Sequence, residues 1–387
     1  MLVRGTGMTR FGRHLDLSMK DMGREATQAA LADAGVGVED IDAVFFSNSL
    51  AGLITGQETI RGEVVLYPMG FGTVPIHNVE NACASGGDAL HLAWTSLMAG
   101  IHGTVLVLGV EKANHQDRQR TFSAYASGTD VEQGFQAGSG AGTDRTPLVD
   151  RQAGLALGLM EEYGLTREAF ARIASKAYTY AAMNPMAHRQ GGATPEEVLA
   201  SRMVVDPITA KMSSPVSDGA AAAVLTVGAP RPGDVRIASS RLASRPPLGQ
   251  DNGPSSVQAA TTAAYRDAGI GPDELDLAEV HDASVAYEVI SWVDCGLCPP
   301  GDQLDWAMSG HTGPGGPFPV NTSGGLIARG HALGASGVAQ VHELVLQLRG
   351  TAGDRQVEGA RTALAQVGGG VIDGKTAVSS AHLLVRG

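Results

Sequence analysis

At 387 residues the chain is long enough for two or three packed units and a large core. A formal net charge of −12 leaves no basic face for nucleic acid or an anionic membrane, although one phosphorylated ligand needs only a local cationic patch. Aromatic residues are scarce at 5%, and the 52 glycines fall in short clusters without a collagen-like period, so they mark tight turns and close backbone approaches.

In chain order, the start MLVRGTGMTRFGRH lacks the apolar stretch of a signal peptide. Apolar residues at helical spacing predict a helix over Asp21–Ala34, then a strand at Ala43–Phe46, a helix over Ala84–Ala99 and a strand at Thr104–Val110. Residues Ala113–Thr146 break the pattern: they are polar, Gly/Ser-rich in their later part and nearly without period, which reads as a functional lid or a flexible segment. A helix over Arg167–Ala182 follows, then strands at Ala221–Val227 and Val235–Ser239, separated by APRPGD at Ala229–Asp234, a linker between two halves. The run near Ala220–Val227 is the longest apolar one and is strand-sized, far short of a membrane span. A helix over Ser256–Ala268, a strand at Leu277–Val280, a helix over Gly337–Leu348 and a strand at Thr376–Val385 complete the series. Alternating strands and helices predict an α/β layered fold with covered sheets. The halves also echo each other. In each, a turn rich in small residues carries one reactive side chain and runs into an apolar helix, NACASGGDALHLAWTSLMAG around Cys83 and GGLIARGHALGASGVAQVHELVLQLRG around His331.

Three segments carry candidate chemistry. Cys83 sits among small residues just before a helix, where the helix dipole and exposed N–H groups favour a thiolate; a buried structural cysteine is the alternative. His331 lies in GHALGASG, whose glycines permit a tight turn and close approach, although a lone histidine in a turn is often only structural. His281, in HDAS, follows a strand at its C-terminal end, where open α/β sheets place ligands; a histidine bonded at a strand end reads the same way. Cys295 and Cys298 in CGLCPPGD have the C-x-x-C spacing of zinc or redox sites, but no second ligand pair accompanies them. Three cysteines in a chain this long suit a reducing cytoplasm rather than a disulfide framework.

Together, NVENACASGG, HDAS and NTSGGLIARGHALGASG resemble the signature blocks of the thiolase superfamily, in particular the sterol-carrier-protein-type thiolases. LGVEK at 108–112, EEVLASRMVVDPIT at 196–209 and SSPVSDGAAAAVL at 213–225 are similar to the same branch, and the likeness runs from the first strand to the C-terminus. The resemblance implies duplicated βαβαβαββ halves in a five-layered αβαβα core. The first half would comprise residues 1–112 and 200–230, an inserted loop domain 113–199, and the second half 231–387. It further implies that Cys83 accepts an acyl group, that His331 activates it, that His281 lines the site of the second carbonyl, and that the N–H groups of Gly368 and Cys83 form an oxyanion hole. Gly368 belongs to the VGGG at 367–370, expected as a glycine loop. Coenzyme A is implied as substrate or product, with no permanently bound cofactor, and a homodimer or tetramer as the assembly. A small OB-fold, zinc-ribbon partner protein accompanies several members of the branch. Arg189, Arg202 and Lys211 are candidates for the coenzyme A phosphates by charge alone.

The sequence departs from that pattern at the second cysteine, which in thiolases takes the α-proton. Its two customary positions hold Gln366 and Ala283, and neither an amide nor a methyl group accepts a proton from carbon. The proton chemistry then falls to His281 and His331. Three activities fit: an acyl-CoA acyltransferase acting through acyl-Cys83, a thiolase-fold retro-aldolase of the steroid side-chain type that does not need Cys83, or a non-catalytic acyl-CoA-binding subunit of a hetero-complex.

Overall fold

The computed structural model describes residues 1–132, 147–249 and 253–387. Eleven strands lie among them: β1 (Leu2–Met8), β2 (Ala43–Ser47), β3 (Ile76–Val79), β4 (Thr104–Glu111), β5 (Met203–Val205), β6 (Ile208–Thr209), β7 (Gly219–Thr226), β8 (Val235–Ser244), β9 (Leu277–Glu279), β10 (Thr362–Ile372) and β11 (Lys375–Arg386). Nine form one mixed sheet in the order β3-β2-β4-β7-β1-β8-β11-β10-β9, and β5 pairs with β6 as a separate ribbon.

The sheet is two copies of one pattern joined at a narrow seam, where β1 and β8 share only the pairs Leu2–Arg236 and Val3–Val235. Outward from the seam, one half runs β1-β7-β4-β2-β3, antiparallel at the first two junctions and parallel at the next two. The other half runs β8-β11-β10-β9 with the same sequence of pairings, and a parallel bridge from Ala278 to Val320 supplies the fifth position. The echo between the Cys83 and His331 segments is therefore a structural repeat: each follows the fifth-position strand of its half and opens a helix, Ser85–Met98 or Leu333–Arg349.

Side-chain alternation then fixes the layers. Along β4, Val105 and Val107 face the central helices while Leu106, Leu108 and Val110 face the outer helix Met19–Ala34. In β10, Ala363 and Ala365 face the centre and Leu364 the opposite outer layer, with the helices Ser256–Ala268 and Val285–Asp294. The result is five layers, αβαβα, with the two central helices packed on each other and covered by sheet on both sides. They approach closely because glycines line the crossing: a Cβ on Gly337 would stand 2.5 Å from the backbone nitrogen of Gly87.

Several expectations change in detail. The predicted helices Arg167–Ala182 and Ser256–Ala268 are found with those bounds, and the others shift by a few residues. Within the stretch expected to lack regular structure, Arg118–Ala126 is helical, capped by the Asp117 side chain on the Gln119 N–H; residues 133–146 of that stretch lie outside the described residues. The VGGG segment is not a loop. It lies within β10, paired to β11 through Val367–Ser380, Gly368–Ser379 and Gly369–Val378. No helix among the described residues is long and apolar enough to cross a membrane.

Candidate active site

Cys83 stands in a short turn, Ala82–Ala84, ahead of the helix Ser85–Met98. Ala82 is held at φ 50°, a left-handed conformation that costs a non-glycine residue roughly 1–3 kcal/mol. Hydrogen bonds on both sides over-determine it. The Ala82 N–H donates to Glu80 Oε1 (2.7 Å), Ser85 Oγ donates to the Ala82 carbonyl (2.6 Å), and Asn81 Nδ2 donates to Asp88 Oδ2 (2.6 Å). Gly369 of β10 lies flat against this turn, where a Cβ would come within 2.3 Å of the Asn81 carbonyl oxygen. Cys83 is thereby presented, half-buried, to a cavity of about 890 Å³ that His281, His331, Ala283 and Gly368 also line.

The two histidines come from segments bolted together by buried polar groups. Glu279, the last residue of β9, takes hydrogen bonds from the Ser323 N–H (2.9 Å) and Ser323 Oγ (2.7 Å), and pairs with Arg329 Nη1 at 3.5 Å. Asp282 Oδ1 accepts the Leu326 N–H at 2.7 Å, and Asn321 Oδ1 accepts the Val280 N–H at 2.8 Å. His281, two residues beyond β9, and His331, two residues beyond Arg329, consequently meet edge to face with ring centroids 5.7 Å apart. From the first half, Glu111 at the end of β4 accepts the Gly334 N–H (3.0 Å) and the Leu50 N–H (3.1 Å), which ties the start of the His331 helix to the Cys83 side.

The tautomer of His331 follows from its neighbours. Ser336 Oγ donates its one proton to the Ala332 carbonyl (3.0 Å), so at 2.8 Å from His331 Nδ1 it accepts the ring N–H. Nε2 then carries a lone pair and has no partner among the described residues. Burial drives the His331 pKa well below the usual imidazole value, helped by His281 and Arg329. Burial, with Arg151 nearby, lowers that of His281 to about 4. Both rings are therefore neutral near pH 7 and able to accept a proton.

The thiol overturns one expectation. The helix start does not make Cys83 a resting thiolate. Burial, then the nearby carboxylates Glu111 and Glu80, push its pKa up to about 12, against the modest help of its own backbone N–H. Desolvation by the surrounding protein outweighs the helix dipole. A nucleophile here must lose its proton as it reacts.

Gln366, at one position of the missing cysteine, is a brace. Its Oε1 accepts the His281 N–H (3.0 Å) and its Nε2 donates to Ser379 Oγ (3.0 Å). Ala283, at the other, leaves a methyl group at the cavity wall. Of the proposed phosphate contacts, Arg202 lines the cavity. Arg189 does too, but its guanidinium is spent on Tyr178 Oη (2.6 Å) and the Ser213 carbonyl (3.0 Å), while Lys211 lies over the Tyr178 ring. Arg61 and Arg118 line the cavity and were not anticipated; nor were Ser336, Tyr125 and Tyr287. Ser336 stands inside the GHALGASG block and could have been suspected there. Tyr125 sits in the stretch that showed no period. Cys295 and Cys298 are buried against Trp292, away from this cavity, and the described residues contain no cluster of three or more possible metal ligands.

Comparison with known proteins gives family matches over most of the chain. The model for the thiolase N-terminal domain matches residues 1–191, and that for the thiolase C-terminal domain-like family matches residues 249–380. An acetyl-CoA acetyltransferase of Methanothermobacter thermautotrophicus is 37% identical over 95% of this chain and 96% of its own. Sterol carrier protein 2 of Gallus gallus is 34% identical over 96% of this chain and 70% of its own. Among solved structures, an Ltp2-ChsH2(DUF35) aldolase is similar in fold, with a TM-score of 0.79 at 22% identity, covering 100% of this chain and 97% of that one.

Proposed function

This chain is a member of the thiolase superfamily, in its sterol-carrier-protein-type branch, and from that premise we propose that it is an acyl-CoA acyltransferase that makes or cleaves a carbon–carbon bond beside a coenzyme A thioester through an acyl-Cys83 intermediate. The observation that carries the reading is the convergence of one thiol, two neutral imidazoles and the Gly368 backbone on a single cavity.

In the condensing direction, Cys83 Sγ attacks the acyl-CoA carbonyl carbon as His331 Nε2 takes the thiol proton, which removes the need for a resting thiolate. The N–H groups of Cys83 and Gly368 hold the developing oxyanion, an interaction worth a few kcal/mol in a closed site. Collapse breaks the carbon–sulfur bond to coenzyme A, and the departing thiolate takes the proton from His331. His281, which lines the same cavity, then takes the α-proton of a second acyl-CoA. The resulting enolate attacks the acyl-Cys83 carbonyl, forms the carbon–carbon bond and expels the Cys83 thiolate, which His281 reprotonates. Thiolysis is the same path reversed. Residues 113–199 would serve as the loop domain against which coenzyme A lies, with Arg118 and Arg202 at hand for its phosphates. A soluble, cytoplasmic homodimer or tetramer, with a small OB-fold partner, completes the reading.

Intact-mass spectrometry after mixing with acetyl-CoA tests it. An adduct of one acyl group, absent in Cys83→Ala, is expected. Full carbon–carbon cleavage by Cys83→Ala on a β-hydroxyacyl-CoA would instead establish the retro-aldol route.

A further inference from the structure

A second cavity, of about 290 Å³, adjoins the first and shares His281, Tyr287, Gly368 and Thr376 with it. Its size is at the lower end of small-ligand sites, enough for an acyl segment but not for a coenzyme A arm. Part of its wall is aliphatic, from Leu155, Val257 and Ile290. The polar part of the wall carries three cations, Arg151, Arg245 and Lys375; Arg245 Nη1 is taken by the Ile372 carbonyl (2.5 Å) and Asp373 Oδ2 (2.8 Å), and Arg151 is held differently. Its Nε and Nη2 both donate to the Gly374 carbonyl (2.9 and 2.6 Å), and its guanidinium lies 5.1 Å from the centroid of the Tyr287 ring, whose edge meets His281. Its Nη1 is buried and has no hydrogen-bond partner among the described residues.

Arg151 lines this empty volume, and a guanidinium nitrogen without an acceptor is an unmet demand for one. Asp294, the carboxylate of this cavity, does not meet it: it accepts from Ser255 Oγ at 2.8 Å, and burial raises its pKa. Burial lowers the Arg151 pKa only to about 10, so the group stays cationic at neutral pH. A ketone or hydroxyl would give Nη1 a partner and leave the positive charge unbalanced. A carboxylate gives it a partner and balances the charge.

We propose that this chamber receives the far end of an acyl chain that terminates in a carboxylate, with Arg151 as the specificity-determining residue, so that the substrate class is a short dicarboxylic acyl-CoA. The inference rests on the reading that the Cys83 cavity receives an acyl-CoA thioester. The chain would pass His281 and lay its methylenes on Leu155, Val257 and Ile290 before the carboxylate meets Arg151.

The test uses the full chain carrying Cys83→Ala, which cannot be acylated, and matched ligand pairs: succinyl- and butyryl-CoA, glutaryl- and valeryl-CoA, adipyl- and hexanoyl-CoA. Calorimetric titration should show the carboxylate member of at least one pair binding about 10- to 150-fold more tightly, the range of a charge-assisted bond. Adding Arg151→Gln should bring that pair to near equality and leave the Kd of the methyl-ended member unchanged; Arg151→Lys, which keeps the charge, should retain part of the preference. Equal or weaker binding of every carboxylate member, a preference that survives Arg151→Gln, or no binding of any acyl-CoA would overturn the inference. Should Arg151→Gln not fold, Arg151→Lys and the six ligands on the Cys83→Ala protein still decide. Failure of the acyltransferase reading looks different: no acyl adduct on the unaltered Cys83, with the binding preference intact.

Discussion

Ser336→Ala isolates the tautomer argument at His331. The Ser336 hydroxyl gives its proton to the Ala332 carbonyl and accepts from His331 Nδ1 at 2.8 Å, which keeps the lone pair on Nε2. Without the hydroxyl, a buried N–H loses its acceptor, at a cost of about 1–3 kcal/mol, or the proton moves to Nε2 and the base is lost. Because Cys83 holds its proton up to about 12, its attack on the proposed acyl-Cys83 route depends on that base. At 1.36 kcal/mol per tenfold, Cys83 acylation should slow roughly 5- to 150-fold. The assay is rapid-quench mixing with acetyl-CoA and intact-mass reading of the adduct, alongside coenzyme A binding and thermal unfolding. The rate should fall while the coenzyme A Kd stays within about threefold, and Ser336→Thr, which restores a hydroxyl, should recover most of it. A merely structural role would move stability and binding together. An unchanged acylation rate in a folded Ser336→Ala protein refutes the assignment.

Three more outcomes follow from the same geometry. With its pKa pushed up to about 12, resting Cys83 should react with iodoacetamide at pH 8 well below the rate of free cysteine; alkylation as fast as the free amino acid would show a thiolate that burial does not suppress. His281 titrates near 4 in the fold against 6.5 unfolded, so above pH 6.5 neither state binds the proton and the group is silent, whereas below it only the unfolded chain protonates. Stability should therefore drop about 2–3 kcal/mol between pH 7 and 4.5 on this account, and urea denaturation should show that share of the acid slope missing in His281→Asn. Gly337→Ala forces a methyl against the Gly87 backbone nitrogen at the helix crossing, where neither backbone can give, and should lose about 1–3 kcal/mol by the same denaturation measurement.

Much of this was written locally. Helices such as Arg167–Ala182 carry their own period and caps, with Thr166 accepting from the Ala169 N–H, so their bounds are legible in the chain itself. Strand β10 was not, because Val367–Gly370 reads as a loop until β11 and the Cys83 turn supply its partners; glycine is there for close approach, which is a property of the neighbour. The duplicated architecture was visible only as an echo, since its evidence is pairing order rather than residue identity.

The sequence by itself determined the layered α/β class, the candidate trio Cys83, His281 and His331, and the presence of Gln366 and Ala283 where thiolases carry a second cysteine, because each depends on residue type and near neighbours. Tertiary structure alone decided what those groups are chemically. Burial and the carboxylates Glu111 and Glu80 keep the thiol protonated where the helix start suggested the opposite. Ser336 selects the nitrogen of His331 that can act, and the Glu279–Arg329 pair sets the two rings 5.7 Å apart. Protonation is a sum over everything within several ångströms, and most of what surrounds Cys83 arrives from distant parts of the chain.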